Sequence, residues 1–307
     1  MLPPSSASTP RPDGVVNLDA KVMIVTGASS GLGLATADAL AKAGATVIMA
    51  VRDLERGERA RSSLATGANT VVMRLDVANQ ASIEAFADEF LTRFDRLDRL
   101  VNNAGVMATP PSVTGDGIEL QWATNHLGPF ALTGLLLDRL LSTKASRVVA
   151  VASLAANHGL LDDHDPTTID NYSRTGVYAE TKLANLVFTV ELNRRLQRAG
   201  AATIALAAHP GVTHTNLVAN LKLPGIQQVL AGVSRLAAQP VAAGAEPIVR
   251  ATIDPLAISN QYWGPSGWRQ YRGSATTVAM PANALDPDRG QRLWQQSIEL
   301  SGVDYLC

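Results

Sequence analysis

The chain has 307 residues, 46% hydrophobic and 17% charged, with a formal net charge of -1. That balance supplies apolar material for a large core and excludes the broad positive footprint by which proteins hold nucleic acid. Cys307 is the single cysteine, which excludes an intrachain disulfide and a thiolate metal cluster and fits a reducing compartment, the cytoplasm.

Met1 to Gly14 carry four prolines and four Ser/Thr and no apolar run, so residues 1–16 are expected to be a disordered tail. Neither a signal peptide nor an integral membrane segment can be built without an apolar stretch. Residues 17–307 are expected to form one folded domain.

From Lys21 to Thr26 a short β-branched run, Val22-Met23-Ile24-Val25, leads into glycines at positions 27, 31 and 33 and then an Ala/Leu-rich helix, Leu34 to Ala43, closed by Gly44. A buried strand, a glycine turn and a helix make the first half of a nucleotide-binding βαβ unit. Gly27 can turn the chain sharply, Gly31 lets backbone approach a pyrophosphate, and Gly33 lets the helix pack close, with the helix N-terminus favouring the phosphate charge. The alternation continues as strand Thr46 to Val51, helix Leu54 to Leu64, strand Thr70 to Leu75, helix Ala81 to Phe94 and strand Arg99 to Asn102. This period predicts an α/β fold with a doubly wound parallel sheet, a Rossmann fold, whose ligands sit beyond the carboxyl ends of the strands.

Those ends carry Arg52-Asp53, Asp76-Val77, Asn102-Asn103-Ala104-Gly105, Ser153 and His209-Pro210-Gly211. An arginine at the end of the second strand can neutralise a ribose 2′-phosphate, which favours NADP(H) over NAD(H); the rival is a solvated Arg52 with Asp53 reading the ribose. Asp76 can accept from an adenine amino group or cap the next helix. Asp116 to Leu141 has helical periodicity interrupted by Gly128-Pro129. If the helix runs through, Pro129 leaves the Asn125 carbonyl without its intrahelical donor, free to hold a water; otherwise the helix ends near Gly128 and restarts at Pro129. His126 beside it reads as a packed or surface residue.

Arg147 to Ala152 is the next strand, and Ser153 after it is in position to cap or to act. Asp162-Asp163-His164-Asp165-Pro166 reads as an exposed loop with no metal, because adjacent residues on a proline-ended loop rarely converge. In the helix that follows, Tyr178 and Lys182 are four residues apart and share a face, and a fixed cation beside a phenol favours the phenolate. Leu183, Leu186, Val187 and Val190 pack inward, and Arg194 and Arg195 suit the helix C-terminus. Thr203 to Ala207 is a further strand. Asn216 to Gln239 reads as an amphipathic lid over the pocket, with membrane-surface attachment as its alternative. A helix from Pro240 to about Ile253 and a last strand at Gln261-Tyr262-Trp263 complete the pattern.

With these residues placed, the chain resembles the short-chain dehydrogenase/reductases and, within them, the retinol-dehydrogenase-like subgroup. The resemblance runs from Lys21 to Leu306 and is carried by Thr26-Gly27-Ala28-Ser29-Ser30-Gly31-Leu32-Gly33, Asn102-Asn103-Ala104-Gly105, Asn125-His126-Leu127-Gly128, Ser153, Tyr178-x-x-x-Lys182 with Leu183-Ala184-Asn185, His209-Pro210-Gly211, and the end Leu293-Trp294 to Gly302-Val303. It implies a catalytic tetrad. Tyr178 would be the general acid or base, Lys182 would lower its pKa and hold the nicotinamide ribose, Ser153 would bond the substrate oxygen, and the Asn125 carbonyl would support a water in the proton relay. Asn102 would stabilise the central sheet. Position and resemblance together give a cofactor-binding set of Gly27, Ser29, Ser30, Gly31, Leu32, Gly33, Arg52, Asp76, Val77, Asn103, Ala104, Gly105, Tyr178, Lys182, Pro210, Gly211, Val212 and Thr213. The expected activity is hydride transfer between NADP(H) and a carbonyl or alcohol of a lipophilic small molecule, with a homodimer as the family's common assembly. A dinucleotide-binding sensor or scaffold with a vestigial site is the rival reading, and a complete tetrad argues against it.

Overall fold

The structure is a computed structural model that describes residues 17–65, 67–161, 165–213 and 239–306. Its centre is an eight-stranded sheet. The strands, in chain order, are β1 (Val22–Thr26), β2 (Thr46–Val51), β3 (Thr70–Arg74), β4 (Arg99–Asn102), β5 (Arg147–Val151), β6 (Ile204–Ala208), β7 (Tyr262–Pro265) and β8 (Ala275–Val278). Their spatial order is β3-β2-β1-β4-β5-β6-β7-β8, with β1 to β7 parallel and β8 antiparallel to β7. The parallel strands are apolar on both faces because helices cover both. In β1, Met23 and Val25 face one core while Ile24 faces the other.

On the first face lie α1 (Gly31–Lys42), α2 (Leu54–Ser62) and, later in the chain, a helix at Val241–Ile253; Leu40, Ala60 and Ile248 meet Val47, Val101 and Leu206 there. On the second face lie α3 (Gln80–Arg93), a helical stretch from Leu120 and the long helix Arg174–Arg198; Phe86, Phe130 and Phe188 close that core with Trp294 behind them. The chain goes from β1 outward to β3 and then returns to place β4 against β1. The direction of winding therefore reverses between β1 and β4, and Gly27 and Ala104 approach each other at that crevice.

Four elements differ from their sequence-based expectation. The stretch expected as one helix interrupted at Gly128-Pro129 is α4 (Leu120–Trp122), a wide π turn over Ala123–Leu127, then α5 (Gly128–Leu135) and α6 (Leu137–Ser142). Gly128 N–H donates to the Ala123 carbonyl five residues back, so the helix neither stops at the proline nor keeps its ordinary pitch. Tyr262–Trp263 is not the last strand: β8 follows through the connection 266–274, and its four residues, half-exposed but for the exposed Thr277, show no alternation that announces their pairing. The C-terminal helix Pro287–Ser301 was not among the expected elements, although its signals are ordinary ones: Asp286 accepts from the amides of residues 288 and 289, proline stands at the first position, and Gly302 closes it at φ 69°. Arg194 and Arg195 serve a buried carboxylate more than the helix end, because both pair with Glu191, and Arg195 also lies 4.4 Å over the Trp294 ring. Numbering the remaining helices in chain order, Arg174–Arg198 is α7, Val241–Ile253 is α8 and Pro287–Ser301 is α9. Of the expected lid at 216–239, only Gln239 lies among the described residues, and Asp162, Asp163 and His164 lie outside them.

Candidate active site

A cavity of about 550 Å³ opens at the carboxyl ends of the parallel strands. It collects every expected cofactor residue: Gly27, Ser29, Ser30, Gly31, Leu32 and Gly33 after β1, Arg52 after β2, Asp76 and Val77 after β3, Asn103, Ala104 and Gly105 after β4, and Pro210, Gly211, Val212 and Thr213 after β6. Ser153, Tyr178 and Lys182 line it too, whereas Asn125 does not.

One end is made of backbone. Gly27 turns the chain at φ 66°, and Gly31, at φ 55°, faces open space, since a Cβ built there meets nothing within 4 Å. Gly33 is needed for close approach, but to the turn itself: a Cβ would lie 2.4 Å from the Gly27 oxygen and 2.5 Å from Asn103 Nδ2. Asn103 and Thr26 hold this crevice shut from below, the Asn103 side chain donating to the Thr26 carbonyl at 2.8 Å and Thr26 Oγ1 accepting from the amides of Asn103 and Ala104 at 2.9 Å. The amino ends of α2, α3, α7 and α9 are capped by Asp53, Asn79, Ser173 and Asp286. The end of α1 has Ser30 in the cap position but no side-chain cap bond. A helix N-terminus left uncapped beside an open glycine can accept an anion.

Arg52 is exposed and lines this end of the cavity, whereas Asp53 does not line it and its Oδ1 accepts from the Arg56 amide at 2.9 Å as the cap of α2. Arg56, missed in the sequence, donates from Nη2 to Ser30 Oγ at 2.9 Å and so leans over the same turn. Its only signal was a second arginine four residues after the first. Asp76 does not cap α3, a task Asn79 performs; Asp76 accepts from the Ala78 amide at 3.1 Å and lines the cavity.

The other end is made of side chains from separate elements. Ser153 follows β5 and its Oγ accepts from the Ala155 amide at 3.2 Å, so it caps a short 3-10 turn while facing the cavity. Tyr178 and Lys182 share a face of α7, both buried. The ammonium, however, sits 5.8 Å from the Tyr178 ring centroid and donates to the Val151 carbonyl at 2.9 Å. Burial raises the Tyr178 pKa above its ordinary value, with the neighbouring Ser153 hydroxyl pulling the other way. Burial likewise pushes Lys182 down to about 8. A phenol out of water with no compensating charge in contact keeps its proton.

Asn125 lies in the π turn with its side chain fully engaged. Its Oδ1 accepts from the Val106 amide at 2.8 Å, and its Nδ2 donates to the Val106 carbonyl at 2.9 Å and to Thr181 Oγ1 at 3.0 Å. Thr181 in turn donates to the Tyr178 carbonyl at 2.9 Å, so a frame runs from the Gly105–Met107 loop through Asn125 to the catalytic helix. Gly128 lets this turn press on the β3–α3 connection, where a Cβ would lie 1.9 Å from the Val77 oxygen. Of the two places expected for His126, packed or at the surface, it takes the packed one, with Nε2 2.9 Å from Ser297 Oγ.

A second frame escaped the sequence reading. The fully buried Glu119 accepts from the Tyr172 hydroxyl at 2.6 Å; Gln121, also buried, donates to that hydroxyl at 2.7 Å and accepts from the Ala108 amide at 2.8 Å. These bonds tie the loop before α7 to the loop after β4, and three apolar residues not singled out for the site in the sequence, Met107, Leu120 and Leu154, line the same cavity as Ser153.

The sequence profile described as short chain dehydrogenase matches residues 21–224. Human retinol dehydrogenase 12 is 37% identical over 300 residues, covering 94% of this chain and 88% of that protein, and mouse retinol dehydrogenase 14 is 36% identical over 297 residues, covering 92% and 86%. The crystal structure of an uncharacterized protein from Mycobacterium paratuberculosis superposes with a TM-score of 0.78 at 38% identity over 94% of this chain and 96% of that one. The fold alone is shared with a 3-ketoacyl-(acyl-carrier-protein) reductase from Brucella melitensis complexed with NADH, at a TM-score of 0.63 and 23% identity over 80% and 96%.

Proposed function

The chain belongs to the short-chain dehydrogenase family, and from that premise we propose that it is an NADP(H)-dependent oxidoreductase acting on a carbonyl or alcohol carbon of an apolar small molecule. The observation that carries the reading is the convergence of Ser153, Tyr178 and Lys182 on the same cavity as the uncapped amino end of α1. The residues fit a nicotinamide dinucleotide. Backbone amides around Gly31 to Gly33 would take its pyrophosphate, and Arg52 and Arg56 would take a 2′-phosphate, which is the support for NADP(H) over NAD(H). When bound, that cofactor supplies or accepts the hydride.

The chain's own residues handle the oxygen and its proton. Tyr178, its pKa raised by burial, holds its proton at neutral pH and would give it to the carbonyl oxygen on reduction, or receive it from the alcohol on oxidation. Ser153 would hydrogen-bond the same oxygen and fix its position against the phenol. The Lys182 ammonium, on the same helix face, would offset the charge left on the phenolate. Asn125 would act through the frame that fixes α7 against the loop after β4, and Pro129, four residues further on, has no amide hydrogen to offer its carbonyl. The apolar wall of Met107, Leu120 and Leu154 favours a lipophilic substrate, in keeping with relatives named for retinol.

The test is a turnover panel of lipophilic aldehydes, ketones, and primary and secondary alcohols with NADPH, NADP, NADH and NAD. Turnover is expected on part of the panel, with kcat/KM at least about tenfold higher for the phosphorylated cofactor. Cofactor binding with no turnover anywhere on the panel would overturn the enzyme reading.

A further inference from the structure

The cavity wall at Pro210, Gly211, Val212 and Thr213 is held in place from outside, by the β7–β8 connection, none of whose residues line the cavity. His209, directly after β6, is fully buried and lies between the two. Its Nδ1 accepts from the Gly211 amide at 3.2 Å. The ring proton is therefore on Nε2, which donates to Gln270 Oε1 at 2.9 Å. Burial pushes the imidazole down to about 4, so one neutral tautomer serves both contacts.

The partner residue is reached at a conformational cost. Arg269 and Gln270 are consecutive non-glycine residues at φ 50° and 58°, in the left-handed region that side chains disfavour. The Arg269 side chain gives no reason for it, being exposed and stacked 4.7 Å over the ring of Trp268. What the left-handed pair achieves is to turn Gln270 toward His209 and to place the Tyr271 carbonyl on the Val212 amide at 2.8 Å. Both sides have been cleared for this approach. A Cβ on Gly211, itself at φ 65°, would lie 2.5 Å from the Tyr271 oxygen, and one on Gly264 would lie 2.1 Å from His209 Nε2. Gln239 completes the brace, donating to the Pro210 carbonyl at 2.8 Å and accepting from the Gly273 amide at 3.3 Å.

We propose that His209 and Gln270 are positioning residues for the cofactor site, a latch through which the β7–β8 connection sets the Pro210–Thr213 turn against the bound dinucleotide. This rests on the reading of the cavity as a dinucleotide site. Local strain is retained because the latch needs Gln270 at that place: within the turn Thr213 Oγ1 donates to the Pro210 carbonyl at 3.1 Å, which closes the turn on itself, while its height against the sheet is set by the contacts to His209 and Tyr271.

The full-length chain carrying His209→Phe, His209→Asn, Gln270→Ala or His209→Phe with Gln270→Ala tests it, with NADPH dissociation constant, KM for NADPH, kcat and Tm measured for each. His209→Phe removes both bonds and should raise the dissociation constant and KM for NADPH about tenfold while kcat at saturating NADPH stays within about twofold. Asparagine puts an amide oxygen near the place of Nδ1, can accept from the Gly211 amide, and should recover most of that loss. Gln270→Ala should cost about threefold, and the double variant should be no worse than His209→Phe, because the two residues act as one unit. A fall in Tm with NADPH affinity and KM unchanged would reduce the pair to a structural contact and overturn the proposal, as would His209→Asn binding no better than His209→Phe. Should His209→Phe not accumulate in soluble form, Gln270→Ala decides by the same criterion, with unchanged NADPH affinity overturning the latch. A wild-type chain that binds neither NADPH nor NADH would instead remove the cofactor reading on which the latch depends.

Discussion

At one end of the cavity, six of the seven residues from Gly27 to Gly33 line it from one turn, and what they present is backbone beside a helix end that no side chain caps. At the other, Ser153 arrives from β5 and Tyr178 and Lys182 from α7, set by the Asn125–Thr181 frame that reaches them from the π turn and the loop after β4. The first end comes mostly from one stretch of chain, braced by Thr26 and Asn103 and flanked by Arg56 on Ser30. The second depends on named atoms but not on any one stretch of chain. Damage at the two ends should therefore fall on different kinetic parameters: binding at the glycine turn and turnover at the helix.

The largest effect that can break this division is at Tyr178. Tyr178→Phe keeps the ring and removes the hydroxyl proposed as the acid, so kcat should fall about 10³-fold, within the range general acid catalysis supplies, while the NADPH dissociation constant is unchanged. Parallel loss of binding and turnover would show that the ends are not separable.

Next in size is the phosphate end. Arg52→Ala and Arg56→Ala should each raise KM for NADPH about 10- to 100-fold, the worth of a charge-assisted bond, and leave KM for NADH within about twofold. Equal effects on the two cofactors would remove the 2′-phosphate assignment, and an effect from Arg52 alone would return Arg56 to a simple partner of Ser30.

The smallest is a stability effect confined to the chemistry end, which carries a buried cation with no carboxylate partner among the described residues. Lys182 has a folded pKa of about 8 against an ordinary 10.5. Between those values the unfolded chain keeps a proton that the folded chain has shed, so this group's contribution to stability rises with pH through that window, and its cost is fully present below about 8. Lys182→Met removes the cost, leaving Asn185 Nδ2 to bond the Val151 carbonyl. Thermal denaturation of the cofactor-free protein should show the variant a few degrees above wild type at pH 7, with the gap closing toward pH 10. A gap independent of pH would mean that the lysine is solvated and its burial carries no penalty.

Much of the fold and of the site was legible before the structure. The glycine spacing after β1, the basic residue after β2 and the Tyr178–Lys182 pair each obey a rule of short range, and each falls on the cavity. Turn geometry, helical repeat and the emptying of one face depend on neighbours within a few residues, and the sequence states those neighbours. Asn125 was found for its carbonyl, and its side chain proved to be the brace.

What only the tertiary structure decided involves residues far apart or out of water. Asn125 meets Thr181 across 56 positions, Tyr172 meets Glu119 across 53, and His209 meets Gln270 across 61. No periodicity encodes such pairs, because each partner alone looks like any buried polar residue. The raised phenol of Tyr178 and the lowered ammonium of Lys182 are of the same kind. Their four-residue spacing puts them on one face of a helix, but their ionisation is set by how much of the whole fold stands between them and solvent, a sum over the surrounding atoms that no single stretch of chain contains.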